Sequence, residues 1–347
     1  MIIKVIIMKK AKNIPIVLLY VLSISLMAYC IFHAATAKNA VFQGIQRCLN
    51  VLVPSLFVTM AMSGLLIKCG FISSAGKLVS PVSRLIFGIE GESALIFLLS
   101  QICGYPVGAR LLKIQFDDGR LSKKEAELLS CVCFGSGGAF VFGCTASDRR
   151  IGWLMLFSTF ASNVLMLLLL RPLLKKYRSV PQPQENPDFP GNILIESVAS
   201  AGKGMFEICC CVILFSVISA MLSVSGTAAA FLDVTALGNL SGASVPMLTG
   251  LLAFGGICVF LQISAIFRGK LSIVPIILAR ICAGLVSFGI CRLMLPIFLS
   301  GEAAVWASSV SLTSHSSPMP SLILIIMIIF VIGEAEKIKN RAPKDTV

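Results

Sequence analysis

Four polar side chains stand inside stretches that are otherwise apolar, each close to a glycine break or deep in a helix. Gln101 and Arg110 flank Cys103-Gly104-Tyr105-Pro106 in the stretch Ser93 to Phe116, and Gln262 follows Gly255-Gly256 in the stretch Val245 to Phe267. Arg280 lies within Leu271 to Leu295. The chemistry these types offer is recognition. A guanidinium can hold a carboxylate with two parallel hydrogen bonds, and a helix that starts at a break presents free amides and the positive end of its dipole. Pro106 suits the first position of such a helix, because its missing N–H would have had no partner there. An anionic group is therefore favoured at the break. Bond-breaking chemistry has no comparable support: no Asp pair, His-Glu cluster or Ser/Lys constellation occurs at helical spacing, so no enzyme is expected. His33 and His315 stand apart, and the cysteines, including Cys131, Cys133 and Cys209-Cys210-Cys211, lie in apolar runs without C-x-x-C pairing. Small buried hydrophobes are expected there, with no metal and no redox cofactor.

Each candidate has a structural alternative that the sequence leaves open. Arg110 either clamps a carboxylate or extends to the interface beside Lys113. Arg280 is an intramembrane charge and so a functional hypothesis by default, or it pairs with a hairpin carbonyl or with Glu207. Gln101 either contacts a ligand or satisfies the broken backbone. Tyr105 either stacks on an aromatic solute or packs. Ser136 and Gly137 belong to a second break, Gly135 to Gly138, which serves close packing or contact with a solute.

The elements that must position these residues follow from length and composition. Each arm of the two broken stretches is about 10 residues, roughly 15 Å as helix and half of a hydrocarbon core about 30 Å thick. Irregular backbone at that depth survives only inside protein or beside a watery cavity, and a matched pair of such stretches marks the site of a secondary transporter. The composition agrees: 57% of the 347 residues are hydrophobic and 13% charged, with a mean hydropathy of +0.94, as for a polytopic membrane protein. The net charge of +13 comes from Lys and Arg that flank apolar segments, so the lipid bilayer is the expected partner and nucleic acid is not.

Along the chain, residues 1–39 form a basic segment and a first transmembrane helix, Ile14 to Ala34, with Met1 and Met8 both open as the start. Residues 40–171 form a first unit: a span at Leu49 to Ile67, an interfacial helix at Phe71 to Phe87, the first broken stretch, a helix opened by the capping box Ser122 to Glu125 and running to Phe134 before resuming through Phe142, and a span at Trp153 to Leu170. Residues 172–192 are a Pro-rich linker. The order then repeats over 193–295, with a span at Met205 to Val224, a short interfacial segment at Thr227 to Leu237, the second broken stretch, and Leu271 to Leu295. Gly269-Lys270-Leu271-Ser272 echoes Gly119-Arg120-Leu121-Ser122. Residues 296–347 hold a C-terminal segment, Ser321 to Ile332, and a basic tail. The expected fold is all-α and polytopic, an inverted repeat of two units with the two broken stretches as hairpins entering from opposite faces. Lys68, Lys77, Arg84, Lys175, Lys176 and Arg178 mark the cytoplasmic side, whereas Lys337, Lys339, Arg341 and Lys344 count to the wrong side.

The runs Val53-Pro54-Ser55-Leu56-Phe57, Gly104-Tyr105-Pro106-Val107-Gly108-Ala109, Gly119 to Glu127 and Gly137-Gly138-Ala139-Phe140-Val141-Phe142-Gly143 together resemble the nucleoside-recognition, or Gate, domain. More closely they resemble the YlbJ family of sporulation integral membrane proteins, over about Ala40 to Leu295. The resemblance implies a transport-type protein of the cell membrane, in a sporulating Firmicute tied to spore maturation in the forespore or mother-cell membrane. Its solute would be a small anion such as dipicolinate, or a nucleoside-like molecule, with sodium or a proton as coupling ion. A non-transporting scaffold of a spore-envelope or secretion complex is the alternative, and a homodimer stays open. Relatives carry Asn residues and a proline in the break where this chain has Phe134 and Gly138, so the resemblance implies a shared fold more than a shared solute.

Overall fold

The computed structural model describes residues 19–145, 148–179, 192–240 and 243–298, together with Val17. These residues form helices and connections, with no strand among them. After α1 (Leu19–Phe32), α2 (Ala34–Arg47) continues through a π-turn at Cys48–Leu52 into α3 (Val53–Lys68), giving one 35-residue rod where a span at Leu49 to Ile67 is expected. The widening has a local cause. Pro54, at the start of α3, cannot donate the i→i−4 bond of a regular helix, and a single π-turn absorbs the mismatch. The α4 helix (Phe71–Ile86) meets α5 (Gly91–Cys103) at 90° and exposes Phe71, Leu78, Val82 and Leu85, the apolar ridge of a helix lying along a membrane surface.

The first broken stretch folds back as expected. Gly104, at φ 106° and ψ 170°, joins α5 to α6 (Tyr105–Asp117) in a conformation closed to L side chains. The two arms lie side by side, since a Cβ placed on Gly108 would come within 2.6 Å of the Ser100 Cβ. In the turn that follows, burial raises the Asp118 carboxyl pKa against the opposing pull of Arg120. The α7 helix (Lys123–Ser130) begins with the Ser122 hydroxyl accepting from the Glu125 amide at 3.2 Å. The capping box is only half closed, because the Glu125 carboxylate accepts instead from the Ser179 amide at 2.7 Å. This helix ends at Ser130 rather than Phe134, and residues 131–137 run unwound before α8 (Gly138–Phe140) and a π-turn at Val141–Thr145.

Two 29-residue helices, α9 (Arg149–Tyr177) and α10 (Ile193–Met221), follow. Both outrun the spans expected at Trp153 to Leu170 and Met205 to Val224, because their polar ends at 171–177 and 193–204 stay helical. The expected interfacial segment at Thr227 to Leu237 divides in two: α11 (Gly226–Leu232) exposes Phe231 and buries Ala230, and a 3-10 turn (Val234–Asn239) places Val234 and Leu237 inside the protein.

The second broken stretch differs from expectation in a way that matters. Rather than folding back, α12 (Val245–Phe254) and α13 (Gly256–Ile266) run on as one 22-residue crossing, broken at Gly255 and Gly256 with φ of 88° and 83°. Gly255 has ψ near −15°, the left-handed helix stop, where Gly104 has the extended ψ that reverses the chain. The final described helix, α14 (Val274–Phe298), packs along α12 with Gly250 and Gly284 set against each other's carbonyls.

Charge gathers at one end of this bundle. Lys68 bonds Glu196 at 2.7 Å, Arg84 and Arg178 bond Glu90 at 2.6 and 3.2 Å, and Arg120 bonds Glu92 at 2.9 Å. The Glu127 carboxylate accepts from the Ser272 amide at 2.9 Å, so the connections after α3, α4, α6, α9 and α13 share that end. Trp153, Phe206, Leu285 and Leu293 project outward from the sides. The expected Ser321 to Ile332 segment, the basic tail and most of the Pro-rich linker lie outside the described residues.

Gly135 shows how tightly the unwound segment is held. A Cβ there would overlap the Gln101 Cα and the Ser100 carbonyl. Gly135→Ala should lower stability by about 1–3 kcal/mol, the usual range for overpacking, while Gly64→Ala, which meets no atom within 4 Å, should leave it unchanged or slightly raised. Thermal unfolding in detergent measures both.

Candidate functional site

Two helix ends face each other at the centre of the protein, the last turn of α7 and the last turn of α12. A helix end leaves carbonyls without helical partners, and in a bilayer no water replaces them. Arg280, fully buried, supplies donors to both. Its Nε and Nη2 donate to the Ala253 carbonyl of α12, and its Nη1 donates to the Cys131 carbonyl beyond α7 at 3.2 Å and to the Asn163 Oδ1 at 2.7 Å. The guanidinium also lies 4.3 Å from the Phe134 ring centroid, in cation–π range. A cation next to two helix C-termini meets the negative end of both dipoles.

The rest of the break is held in the same manner. Asn163 on α9 donates to the Phe134 carbonyl at 2.9 Å and to Gln101 Oε1 at 2.8 Å. Gln101 on α5 donates to the Val132 carbonyl at 3.3 Å and to Ser100 Oγ at 3.0 Å. Tyr105, at the hairpin tip, donates its hydroxyl to the Leu252 carbonyl at 2.9 Å and packs against Phe134, the rings tilted with centroids 4.7 Å apart. Side chains of α5, α6, α9 and α14 thus bind the carbonyls of both interrupted helices in one network.

In this network Arg280 bonds backbone carbonyls and Asn163, Gln101 bonds the Val132 carbonyl of the unwound segment, and Tyr105 bonds the Leu252 carbonyl of α12. Gly104, Tyr105, Pro106, Ser136 and Gln262 do converge, on a cavity of ≈ 20 Å³ between the hairpin tip and α13, room for about one water. Ser136 Oγ also lies 3.2 Å from Thr159 Oγ1. Gly137 abuts Gly104, and Gly255 abuts the Phe134 ring. Gly256 abuts the backbone at Leu232 and Val234, so these glycines bring segments together.

A larger cavity, ≈ 250 Å³, lies between α6, α10 and α13 near the charged end. Arg110, Lys113, Lys203 and Arg268 line it, against the single carboxylate of Glu207. Arg110 donates through Nη2 to the Ser200 hydroxyl at 2.8 Å and to the Ser200 carbonyl. Its Nη1 is buried and has no acceptor among the described residues. Gln262 and Ile208 line both this cavity and the small central one, forming the partition between them. Of the expected residues, Arg110 and Gln262 line this larger cavity.

Other residues of these sites escaped sequence reasoning. Asn163 had a signal, a lone amide in the apolar run of α9. Asp233 had one too, a single carboxylate among Ala and Leu; its Oδ2 accepts from Thr235 Oγ1 at 2.6 Å and from Arg47 at 3.4 Å. Lys203 had none, since its helix was expected to begin at Met205.

Compared with known proteins, the chain is similar to the sporulation integral membrane protein YlbJ of Bacillus subtilis (strain 168), with 26% identity over 223 residues, 57% of this chain and 55% of that protein. The match thus spans about half the length of the curated relative. No family model matches the chain, and no solved structure matches it.

Removing the guanidinium at the centre leaves the Ala253 and Cys131 carbonyls and the Asn163 oxygen without donors. Arg280→Ala should lower stability by about 3 kcal/mol or more, each unsatisfied buried group costing about 1–3 kcal/mol. Arg280→Lys should fall between, since a point charge with three donors cannot span the fork. Thermal melts of the detergent-purified variants give the order.

Proposed function

Because this chain is a YlbJ-like, multi-pass integral membrane protein, we propose that it works as a secondary transporter of a small organic anion, dipicolinate-like or nucleoside-like, in spore maturation. The observation that carries this is the ≈ 250 Å³ cavity lined by Arg110, Lys203, Arg268 and a Lys113 that is paired with Asp117, against the one carboxylate of Glu207, with a buried Arg110 Nη1 in its wall that has no acceptor among the described residues. A buried donor without a partner costs about 1–3 kcal/mol, and a carboxylate in the cavity would relieve that cost while meeting the guanidinium's geometry. Drug-sized ligand pockets begin at about 300 Å³, so this cavity suits a small solute. By the positive-inside rule its mouth faces the cytoplasm.

Architecture supports the same reading. The order of hairpin, interrupted crossing and long span over α5 to α9 recurs over α11 to α14 from the opposite end of the bundle. In that correspondence α11 and its 3-10 turn stand for the α5–α6 hairpin, and the Gly255 break stands for the unwound 131–137, not for Gly104. Such an inverted repeat places irregular backbone at the midplane, where transporters bind solute and coupling ion. Gln262 then separates a solute vestibule from the centre, and a small rearrangement there would join the two cavities.

The experiment is uptake of labelled dipicolinate, a nucleoside and an uncharged control into liposomes holding the purified protein. Arg110→Ala should reduce anion uptake at least tenfold, the equivalent of losing about 1.4 kcal/mol of binding, and Arg110→Lys should retain part of it. Wild-type protein that moves none of these solutes, or Arg110→Ala and Lys203→Ala variants that transport normally, would sink the proposal.

A further inference from the structure

Asp233 is a carboxylate at the centre of the protein that the anion cavity does not use. It is 2% exposed and sits at the reversal between α11 and the 3-10 turn, a re-entrant piece that enters from the end opposite the charged connections. That reversal rests against the second break, because a Cβ on Gly256 would come within 3.0 Å of the Val234 amide. Asp233 lines the ≈ 20 Å³ cavity opposite Tyr105, Ser136 and Gln262. The other buried carboxylates among the described residues, Glu90, Glu125 and Glu127, are bound at the charged end.

The partners of Asp233 divide into two kinds. Thr235 donates its amide to Oδ1 at 3.0 Å and its hydroxyl to Oδ2 at 2.6 Å, and both belong to the same re-entrant piece. Arg47, on α2, is the charged partner from another element, at 3.4 Å, longer than a well-formed N–H···O bond. Arg47 is anchored independently, its Nη2 donating to Ser216 on α10 at 2.9 Å, and its Nε has no acceptor among the described residues. The titratable groups facing Asp233 from its other neighbours are the thiols of Cys48, in the π-turn, and Cys258, on α13, and, across the small cavity, the Tyr105 phenol of α6, whose hydroxyl is donated to the Leu252 carbonyl.

Opening the central cavity toward the end opposite the ion-paired connections requires the re-entrant piece to part from α2 and α10. Thr235 would travel with Asp233 and Arg47 would stay with Ser216. The carboxylate would then be a buried, unpaired charge, a state costly enough that such a group neutralises instead. Binding one proton converts it to a carboxylic acid, which keeps the Thr235 bonds and removes the charge. The paired, closed form and the protonated, open form are then the two stable states, and a proton is bound or released each time the cavity changes access.

We propose that Asp233 is a proton-binding site that couples opening of the central cavity to proton movement. This rests on the transporter reading above, and the test separates the two. In liposomes, dipicolinate uptake is compared with and without an imposed pH gradient. Wild-type protein should respond to the gradient, Asp233→Asn should lose that response whatever its basal rate, and Asp233→Glu should regain it. A wild type that moves dipicolinate without responding to the gradient, or an Asp233→Asn variant that still responds, overturns the inference while leaving transport standing. If dipicolinate is not moved, or the variant is inactive, infrared difference spectra of the purified proteins between acidic and alkaline buffer decide. Asp233→Asn should lack one protonated-carboxyl band present in wild type, and coincident spectra overturn the inference.

Discussion

An interrupted helix in a bilayer has carbonyl groups that neither the helix nor the lipid can satisfy, and in this protein two such interruptions are satisfied by one side chain. Arg280 reaches the Ala253 carbonyl with two of its nitrogens and the Cys131 carbonyl with the third. An isolated arginine in hydrocarbon is expensive. Here it is offset by hydrogen bonds, by the negative ends of two helix dipoles and by the Phe134 ring. The surrounding residues follow from that choice. Asn163 must present its oxygen to Arg280 and its nitrogen to Phe134 and Gln101, and Gly135 must leave room for Gln101.

This network sorts the molecule into a part that is locked and a part that is not. The α5–α6 hairpin, the 131–137 segment, α9, α12 and α14 are tied together by the hydrogen bonds around Arg280, Asn163 and Gln101, with Ser158 Oγ on α9 and Ser287 Oγ on α14 the buried hydroxyls there that have no partner among the described residues. The walls of the larger cavity are different: Arg110 Nη1 there has no acceptor among the described residues, and Arg110, Lys113, Lys203 and Arg268 share the lining. The re-entrant piece around Asp233 is held to α2 by one long ion pair. Unmatched polar groups beside a hydrogen-bonded scaffold are where a ligand or proton changes the balance most, since each such group is worth a sizeable fraction of total stability.

How much of this is legible in the sequence depends on the range of the interaction. Local signals read well: Gly104 and Gly255 mark helix ends, and Ser122 caps α7. Arg280 stands out as an intramembrane charge. Its partners do not, because Cys131 and Asn163 are brought to it by the fold over separations of 149 and 117 residues. Whether a broken stretch folds back or runs on is likewise hidden. Both breaks read as two short apolar helices around glycine, and the difference lies in ψ at Gly104 and Gly255, an angle that glycine leaves free. The buried position of Asp233 escaped for a related reason, since an Ala-rich segment with one carboxylate fits a surface connection equally well.

The shift of the second break from hairpin to crossing changes what the arginines can do. With two hairpins, Arg110 and Gln262 would occupy equivalent places on opposite faces and Arg280 would be free to meet a solute between them. With a hairpin at Gly104 and a crossing at Gly255, α13 runs toward the same end as α6. Arg110 and Gln262 then line one cavity together, and Arg280 is consumed by the backbone it holds. The basic side chains therefore lie off the centre, in the larger cavity, while the small central cavity carries the carboxylate of Asp233. On the proposed transport reading, an anion moving inward from the basic cavity would meet a like charge beyond Gln262, and neutralising Asp233 would remove that barrier in the same step that frees the re-entrant piece to move.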